Sequence, residues 1–147
     1  MQNAAPASNG WLVWAILSAL FAGVTAILAK VGVSGVNSNL ATAIRTLVVL
    51  FFTWGIAFAT NKPSAVFDLS RRTWIFLVLS GLATGLSWLC YFRALQLGEA
   101  SRVAPVDKLS VVFVILFAAL FLKEALTWQQ WVGGGLVLAG AIILGWK

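Results

Sequence analysis

The sequence predicts an all-α integral membrane protein, built as a bundle of five transmembrane helices. Of its 147 residues, 61% are hydrophobic and only 10% are charged, whereas soluble domains carry about 25% charged residues. The mean hydropathy is +0.97. The apolar residues also fall into five separate runs, each close to the roughly 20 residues that a membrane-spanning helix needs. The lipid bilayer is therefore the expected surroundings of the chain.

Polar turn residues separate the five runs and give their boundaries. The runs predict helices over about residues 11–30, 39–59, 73–93, 103–122 and 126–146, after a disordered tail over 1–10. Residues 11–147 then form a single membrane domain. The tail contains no lysine or arginine before the first apolar run, so it is not a secretory signal. The glycines of residues 133–135 predict a bend or a close helix crossing near the start of the fifth helix.

Two of the predicted helices can cross the membrane only if charged residues enter it. The uncharged part of the fourth helix, Leu109–Leu122, is fourteen residues long, or roughly 21 Å, against a hydrocarbon core of roughly 30 Å. Asp107 and Lys108 are therefore drawn toward the membrane, and Arg45 is drawn in by the short second helix. Either these groups reach back to the interface, or they line a watery cavity between helices.

The charged residues inside or next to the helices gather near one membrane face. Consecutive helices alternate in direction, so we define side A as the face where the first helix begins and side B as the opposite face. Six of the eight tryptophans lie toward side A, where they form an interfacial belt. Side B is predicted to hold a polar vestibule lined by Lys30, Arg45, Trp88, Tyr91, Asp107 and Lys108.

Asp107 should have a cationic partner in this vestibule, because an unpaired charge in lipid is costly. Arg45 and Lys108 are both candidates. A substrate carboxylate could compete for the pairing, or the Asp107 and Lys108 pair could be a static salt bridge that locks the second and fourth helices together. Lys30 lies on a stripe of small residues with Ser18, Ala22 and Ala26, which should face protein and aim the lysine inward.

The composition excludes several classes of protein. The chain has no histidine and a single cysteine, Cys90, so we expect no metal site, no cofactor and no internal disulfide. No acid pair with suitable spacing is present, so an enzyme is not expected. The net charge of +6 comes from basic residues scattered between apolar runs, which explains membrane topology better than binding to nucleic acid.

The loop charges show almost no bias between the two membrane faces. Side A carries Lys62, Arg71, Arg72 and Lys123, and side B carries Lys30, Arg93, Arg102 and Lys147. A clear excess on one side normally fixes the orientation of a membrane protein. Either other determinants fix it here, or the chain inserts both ways and pairs with its inverted copy, which is the layout of many secondary transporters.

Three stretches carry a resemblance to a known family: Tyr91 with Ala94 and Leu95, "LFLKEALT" at 120–127, and "WVGGGLVLAGAIIL" at 131–144. Together they resemble the EamA domain, the repeat unit of the drug/metabolite transporter superfamily. The chain departs from the family pattern at Lys123, where glycine usually precedes the glutamate, and at Ser110, near which a proline is often found. Most similar proteins carry two inverted repeats, so a single repeat implies a partner, most simply an inverted second copy.

The resemblance and the vestibule together favour a secondary transporter or exporter of small polar metabolites, resembling amino acids or organic anions. It would work as an inverted homodimer in the cell (inner) membrane, with dual topology. The related small multidrug exporters carry a glutamate in their first helix, and the first helix here has no acid, which disfavours export of cationic drugs. The alternatives are a flippase subunit for phosphate-linked lipids and an accessory membrane protein that transports nothing.

Overall fold

The computed structural model describes residues 10–60 and 66–146, and the regular structure within these ranges is entirely helical. The helices are α1 (Gly10–Gly32), α2 (Ser38–Thr60), α3 (Arg71–Leu97), α4 (Ala100–Asp107), α5 (Ser110–Phe121) and α6 (Trp128–Gly145). Five segments are long and apolar enough to cross a membrane, the fourth being α4 and α5 together, Ala100–Phe121. The predicted five-helix membrane architecture is confirmed.

The connection between the third and fourth spans is shorter than predicted. The α3 helix continues to Leu97 instead of ending near residue 93, and only Gly98 and Glu99 separate it from α4. The N–H of Gly98 donates to the carbonyl of Ala94 at 2.8 Å, which is the last hydrogen bond of the helix. Gly98 is thus the C-cap of α3. At the other end of the chain, α1 already begins at Gly10, within the predicted tail; residues 1–9 lie outside the described residues.

The fourth span is interrupted about one third of the way along. Proline has no N–H, so Pro105 inside α4 leaves the Ser101 carbonyl without its usual helical donor. Three residues later the hydrogen bonds tighten: the N–H of Lys108 donates to the Pro105 carbonyl at 3.1 Å, and that of Leu109 to the Val106 carbonyl at 3.0 Å. These three-residue bonds replace four-residue ones, which is typical of a short 3₁₀ turn. The interruption, residues 108–109, is called the helix break below.

The α3 helix lies at the centre of the bundle, where it packs against α1, α2 and α4. The α6 helix packs against both α4 and α5. A small core of Ala29, Val33, Phe92 and Leu95 joins the side B ends of α1 and α3. Most large apolar side chains are exposed, as expected for helices that face lipid. This core lies at the same end of the bundle as the polar residues of side B.

The crossing of α5 and α6 is close, as the glycines of residues 133–135 predict. A Cβ atom added to Gly134 would lie 2.9 Å from Cδ1 of Ile115, so only glycine fits there without a shift. The N-terminus of α6 is closed by a capping box, in which Thr127 and Gln130 satisfy each other's backbone N–H groups. By contrast, Gly81 and Gly85 of α3 meet no atom within 4 Å, and their small-residue face is open.

Lys123 occupies a backbone conformation that favours glycine. Its φ is 53°, and the turn lets the N–H of Glu124 donate to the Ala118 carbonyl at 3.2 Å. This is the position where the family pattern usually has glycine.

We expect Lys123→Gly to raise the free energy of unfolding by about 1 kcal/mol, because glycine avoids the left-handed strain. Denaturation in mixed micelles measures it, with Lys123→Ala as control: an equal gain from alanine would mean that removal of the charge, and not relief of strain, is responsible.

Candidate functional site

Five of the six predicted site residues surround one cavity, where α1, α2, α3 and the helix break meet. This cavity, called the polar cavity, has a volume of about 210 Å³. Its lining consists of Ala22, Thr25, Arg45, Ser87, Trp88, Tyr91, Asp107 and Lys108. The sequence placed Arg45, Asp107 and Lys108 near the same membrane face, and the structure brings them to the same space between helices.

Arg45 enters the cavity from the polar face of α2. Ser38, Thr42 and Arg45 follow one another at helical spacing, and Ser38 and Thr42 are buried. The half-buried Arg45 places its guanidinium carbon 4.3 Å from the centre of the Trp88 ring and 5.4 Å from that of Phe92. Stacking on aromatic faces stabilises a desolvated guanidinium. Within residues 10–60 and 66–146, no carboxylate lies within 4.0 Å of it.

Asp107 pairs with its neighbour in sequence. The Nζ atom of Lys108 lies 3.4 Å from Oδ2 of Asp107, and the lysine is exposed while the aspartate is half-buried. Of the two partners predicted for Asp107, the structure thus selects Lys108, and a direct pair with Arg45 is not formed. Both members of the pair belong to the fourth span, so this salt bridge does not lock the second helix to the fourth. Such partly exposed pairs contribute little stability.

Lys30 lies apart from the polar cavity. Its ammonium donates to the carbonyl of Leu95 in the last turn of α3 at 2.6 Å and to that of the C-cap residue Gly98 at 2.8 Å. These carbonyls have no donor within the helix, so the lysine caps the C-terminus of α3. Its positive charge also interacts favourably with the negative end of the α3 helix dipole. Lys30 does point inward, as predicted, with Ala26 buried beside it, but Ser18 and Ala22 of the small-residue stripe are exposed. The structure differs from the prediction in the destination, which is the end of a helix and not the vestibule.

Sequence reasoning missed Thr25 and Ser87, which complete the polar lining. Ser87 lies four residues before Tyr91, so the two share one face of α3. Thr25 lies between Ala22 and Ala29 on one face of α1, at the spacing of three and four residues that marks a packed helix face. A search for hydroxyl residues at helical spacing from Tyr91 could have found Ser87. No comparable signal pointed to Thr25.

A second cavity of about 360 Å³, called the apolar cavity, adjoins the first between α3, α4 and the end of α6. Ser87, Tyr91 and Asp107 line both cavities. The rest of its lining is Cys90, Ala94, Arg102, Val103, Val106 and Gly145. Arg102 forms a salt bridge with Glu99 at 3.1 Å, in which both side chains are well exposed. In the part of the chain that the structure describes, no three histidine, cysteine or acidic side chains lie close enough to hold a metal ion.

The profile of the EamA-like transporter family matches residues 9–146, which cover the whole helical bundle. The chain belongs to the EamA-like transporter family. A protein of Sinorhizobium sp. named an uncharacterized transporter in the cobO 3′ region is 53% identical to it over 137 residues, or 93% of this chain and 97% of that protein. The family and this relative both support a role in transport across a membrane.

Two more distant relatives extend the comparison. The probable 4-amino-4-deoxy-L-arabinose-phosphoundecaprenol flippase subunit ArnE of Hamiltonella defensa is 32% identical over 78 residues, or 53% of this chain and 70% of that protein. An uncharacterized protein of Methanocaldococcus jannaschii is 24% identical over 139 residues, or 90% of this chain and 94% of that protein. No solved structure matches the chain. The family profile over residues 9–146 and the five apolar helices of the described chain both support the EamA-like architecture.

Proposed function

We propose that this EamA-like protein is a secondary transporter or exporter of small polar metabolites with an anionic group, such as amino acids or organic anions. Arg45 carries the proposal. It is a half-buried cation inside a membrane span, lining a cavity and stacked on Trp88, with no carboxylate beside it in the described chain. Charged groups at such positions are costly and normally belong to a substrate pathway. An anionic substrate would supply the missing counter-charge.

The helix break supports the same site. Asp107 is the last residue of α4, Lys108 lies in the break, and α5 begins at Ser110. Transporters commonly bind substrates where a membrane helix is interrupted, because backbone groups and helix ends are then available inside the membrane. Lys108 adds a second cation to the lining, and its pairing with Asp107 is weak enough for a substrate carboxylate to replace. Trp88 and Tyr91 offer aromatic surface for the remainder of a small solute.

Uptake by reconstituted vesicles tests the proposal. Vesicles containing the purified protein are incubated with a mixture of amino acids, organic acids and organic cations, and the internal solutes are identified by mass spectrometry. We expect accumulation of one or more anionic or zwitterionic solutes above protein-free vesicles. Accumulation of cations alone would contradict the assignment of Arg45, because a cationic substrate would meet an uncompensated positive charge in the polar cavity.

A second candidate function is a flippase subunit for phosphate-linked lipids, which is favoured by the similarity to the probable ArnE subunit. A phosphate could occupy the same position beside Arg45. Vesicles carrying a fluorescent phosphoprenol in one leaflet distinguish the candidates. Transfer of the probe to the other leaflet without uptake of soluble anions would favour the flippase. Failure of both assays would instead favour an accessory protein.

For the assembly we propose an inverted homodimer in the cell (inner) membrane. The balanced loop charges and the single five-helix repeat support it, and the open face around Gly81 and Gly85 leaves room for a close helix partner. Two inverted copies would place one polar cavity near each membrane face and reproduce the inverted-repeat layout of many secondary transporters. Membership of the EamA-like transporter family favours a protein that is not an enzyme.

Reporters that work on only one side of the membrane test this assembly. Fused to the C-terminus, a periplasmic phosphatase and a cytoplasmic fluorescent protein should both give signal, in about equal amounts when each is corrected for expression. Changing Lys123 to glutamine on side A, or Arg93 to glutamine on side B, should bias the two signals in opposite directions. Signal from a single reporter, unmoved by either change, would mean a fixed orientation and rule out the inverted pair.

A further inference from the structure

The two cavities form adjacent compartments with opposite character. Ser87, Tyr91 and Asp107 line both, so the two compartments share this part of their walls. The polar cavity holds two cations, Arg45 and Lys108, against one carboxylate, Asp107. The apolar cavity is walled mainly by small and apolar residues of α3 and α4, and its volume of about 360 Å³ lies in the range of ordinary ligand pockets.

We propose that the two compartments together bind an amphipathic anion. Its phosphate or carboxylate lies beside Arg45 in the polar cavity, and its apolar chain lies in the apolar cavity against Ala94, Val103 and Val106. This inference rests on the anion site at Arg45 in the proposed function, and it favours an anion that also carries an apolar group. The charge of the first compartment selects the head group. The second compartment accommodates the chain because its lining is mostly small and apolar.

The alternative occupant of the apolar cavity is a helix of a second copy. Asp107 argues against it, because the carboxylate lines this cavity as well as the polar one, and its ion-pair partner among the described residues is the exposed Lys108. A helix packed over the opening would seal the carboxylate into an apolar interface, which is costly. A mobile chain that brings its own anionic head to Arg45 leaves Asp107 and Lys108 in contact with water in the polar cavity.

Cys90 can report whether a ligand occupies the apolar cavity. It is the single cysteine of the chain, it is free and exposed, and it lines the apolar cavity but not the polar one. The rate of its alkylation by N-ethylmaleimide, followed by mass spectrometry in reconstituted protein, reports whether the apolar cavity is occupied. Decyl phosphate or decanoate should slow alkylation about tenfold at saturation. Decyltrimethylammonium, with the same chain and the opposite charge, should leave the rate unchanged.

Variants assign the two ends of the ligand. Arg45→Gln should raise the concentration of decyl phosphate needed for protection by about tenfold or more. Ala94→Phe fills the apolar cavity alone, so it should abolish protection while leaving Arg45-dependent binding of ethyl phosphate, measured by equilibrium dialysis. Ala83→Phe is the matched control, because Ala83 is an exposed residue three turns earlier on the same face of α3 and lines neither cavity.

The outcomes separate this inference from the proposed function. If ethyl phosphate binds through Arg45 but decyl phosphate leaves Cys90 reactive, the amphipathic substrate is wrong and the anion site stands. If neither anion binds through Arg45, both are wrong. Equal protection by the cationic amphiphile, or protection unaffected by Arg45→Gln, would overturn the inference. So would a Cys90 that is unreactive in bilayers before any ligand is added yet reactive in detergent-dispersed monomers, because a second copy would then cover the cavity.

Discussion

Replacing Arg45 by glutamine should lower transport of the anionic substrate about 100-fold or more, with little change in folding. Glutamine keeps the approximate length of the side chain but removes the charge, and loss of one partner from a buried ion pair costs about 2–5 kcal/mol. The free protein has no carboxylate beside Arg45 in its described part. The variant therefore strands no partner before the substrate arrives. Initial uptake rates in vesicles, per folded molecule, measure the effect.

Arg45→Lys separates charge from geometry at the same position. Lysine keeps the positive charge but loses the planar guanidinium that stacks on Trp88 at 4.3 Å. We expect it to retain part of the activity, about a tenth of the wild-type rate, because the single ammonium cannot bind a carboxylate or phosphate in two places at once. Adding Asp107→Asn to Arg45→Gln should not restore uptake, since Asp107 is paired with Lys108 and not with the arginine.

Arg72→Gln is the matched control for this series. Arg72 also stacks on an aromatic ring, with its guanidinium carbon 5.8 Å from the centre of the Phe76 ring, but it lies at the start of α3, away from the polar cavity. We expect its uptake rate to stay near that of the wild type. If Arg72→Gln and Arg45→Gln reduced uptake equally, or if Arg45→Gln transported normally, the substrate site would have to be sought elsewhere.

The helices were predictable because lipid imposes a simple rule on sequence. A run near 20 apolar residues between polar turns has few structures open to it other than a spanning helix. The same rule forced Arg45, Asp107 and Lys108 into the membrane, because the runs beside them were too short. The limits of α3 were harder to predict: charged Arg93 read as the end of an apolar run, whereas its Nη1 atom donates to Gln96 at 2.8 Å within a continuing helix.

The contacts that polar side chains make between helices could not be predicted from the sequence, for a different reason. Which acceptor a long cation reaches depends on how helix ends meet, and α3 extends far enough to present its last carbonyls to Lys30. Arg45 likewise stacks on the rings of Trp88 and Phe92 and does not pair with the carboxylate of Asp107. Opposite charge alone favoured Arg45 with Asp107, but Trp88 and Phe92 lie one helical turn apart on the face of α3 that meets α2. The composition of the site was predictable, and its contacts required the packing.

Lys30→Met should destabilise the fold by about 2–3 kcal/mol. The lysine donates to the carbonyls of Leu95 and Gly98, and hydrogen bonds from a charged donor are worth about 1.5–3 kcal/mol each, less any recovery by water. Methionine keeps an unbranched apolar stem of similar length but leaves both carbonyls without this donor. Unfolding in mixed micelles with increasing denaturing detergent should show a lower midpoint, which Lys30→Arg partly restores.

The effect on transport decides whether Lys30 is structural or binds substrate. A cap on α3 predicts that folded Lys30→Met protein keeps the wild-type KM, because Lys30 does not line the polar cavity. Lys108→Met is the crossed control: its exposed side chain lines the cavity, so we expect little loss of stability and a KM raised about tenfold. If Lys30→Met instead raised KM while leaving the unfolding midpoint unchanged, the vestibule role predicted from the sequence would be right. The two carbonyl contacts would then be a resting position that the lysine leaves when substrate binds.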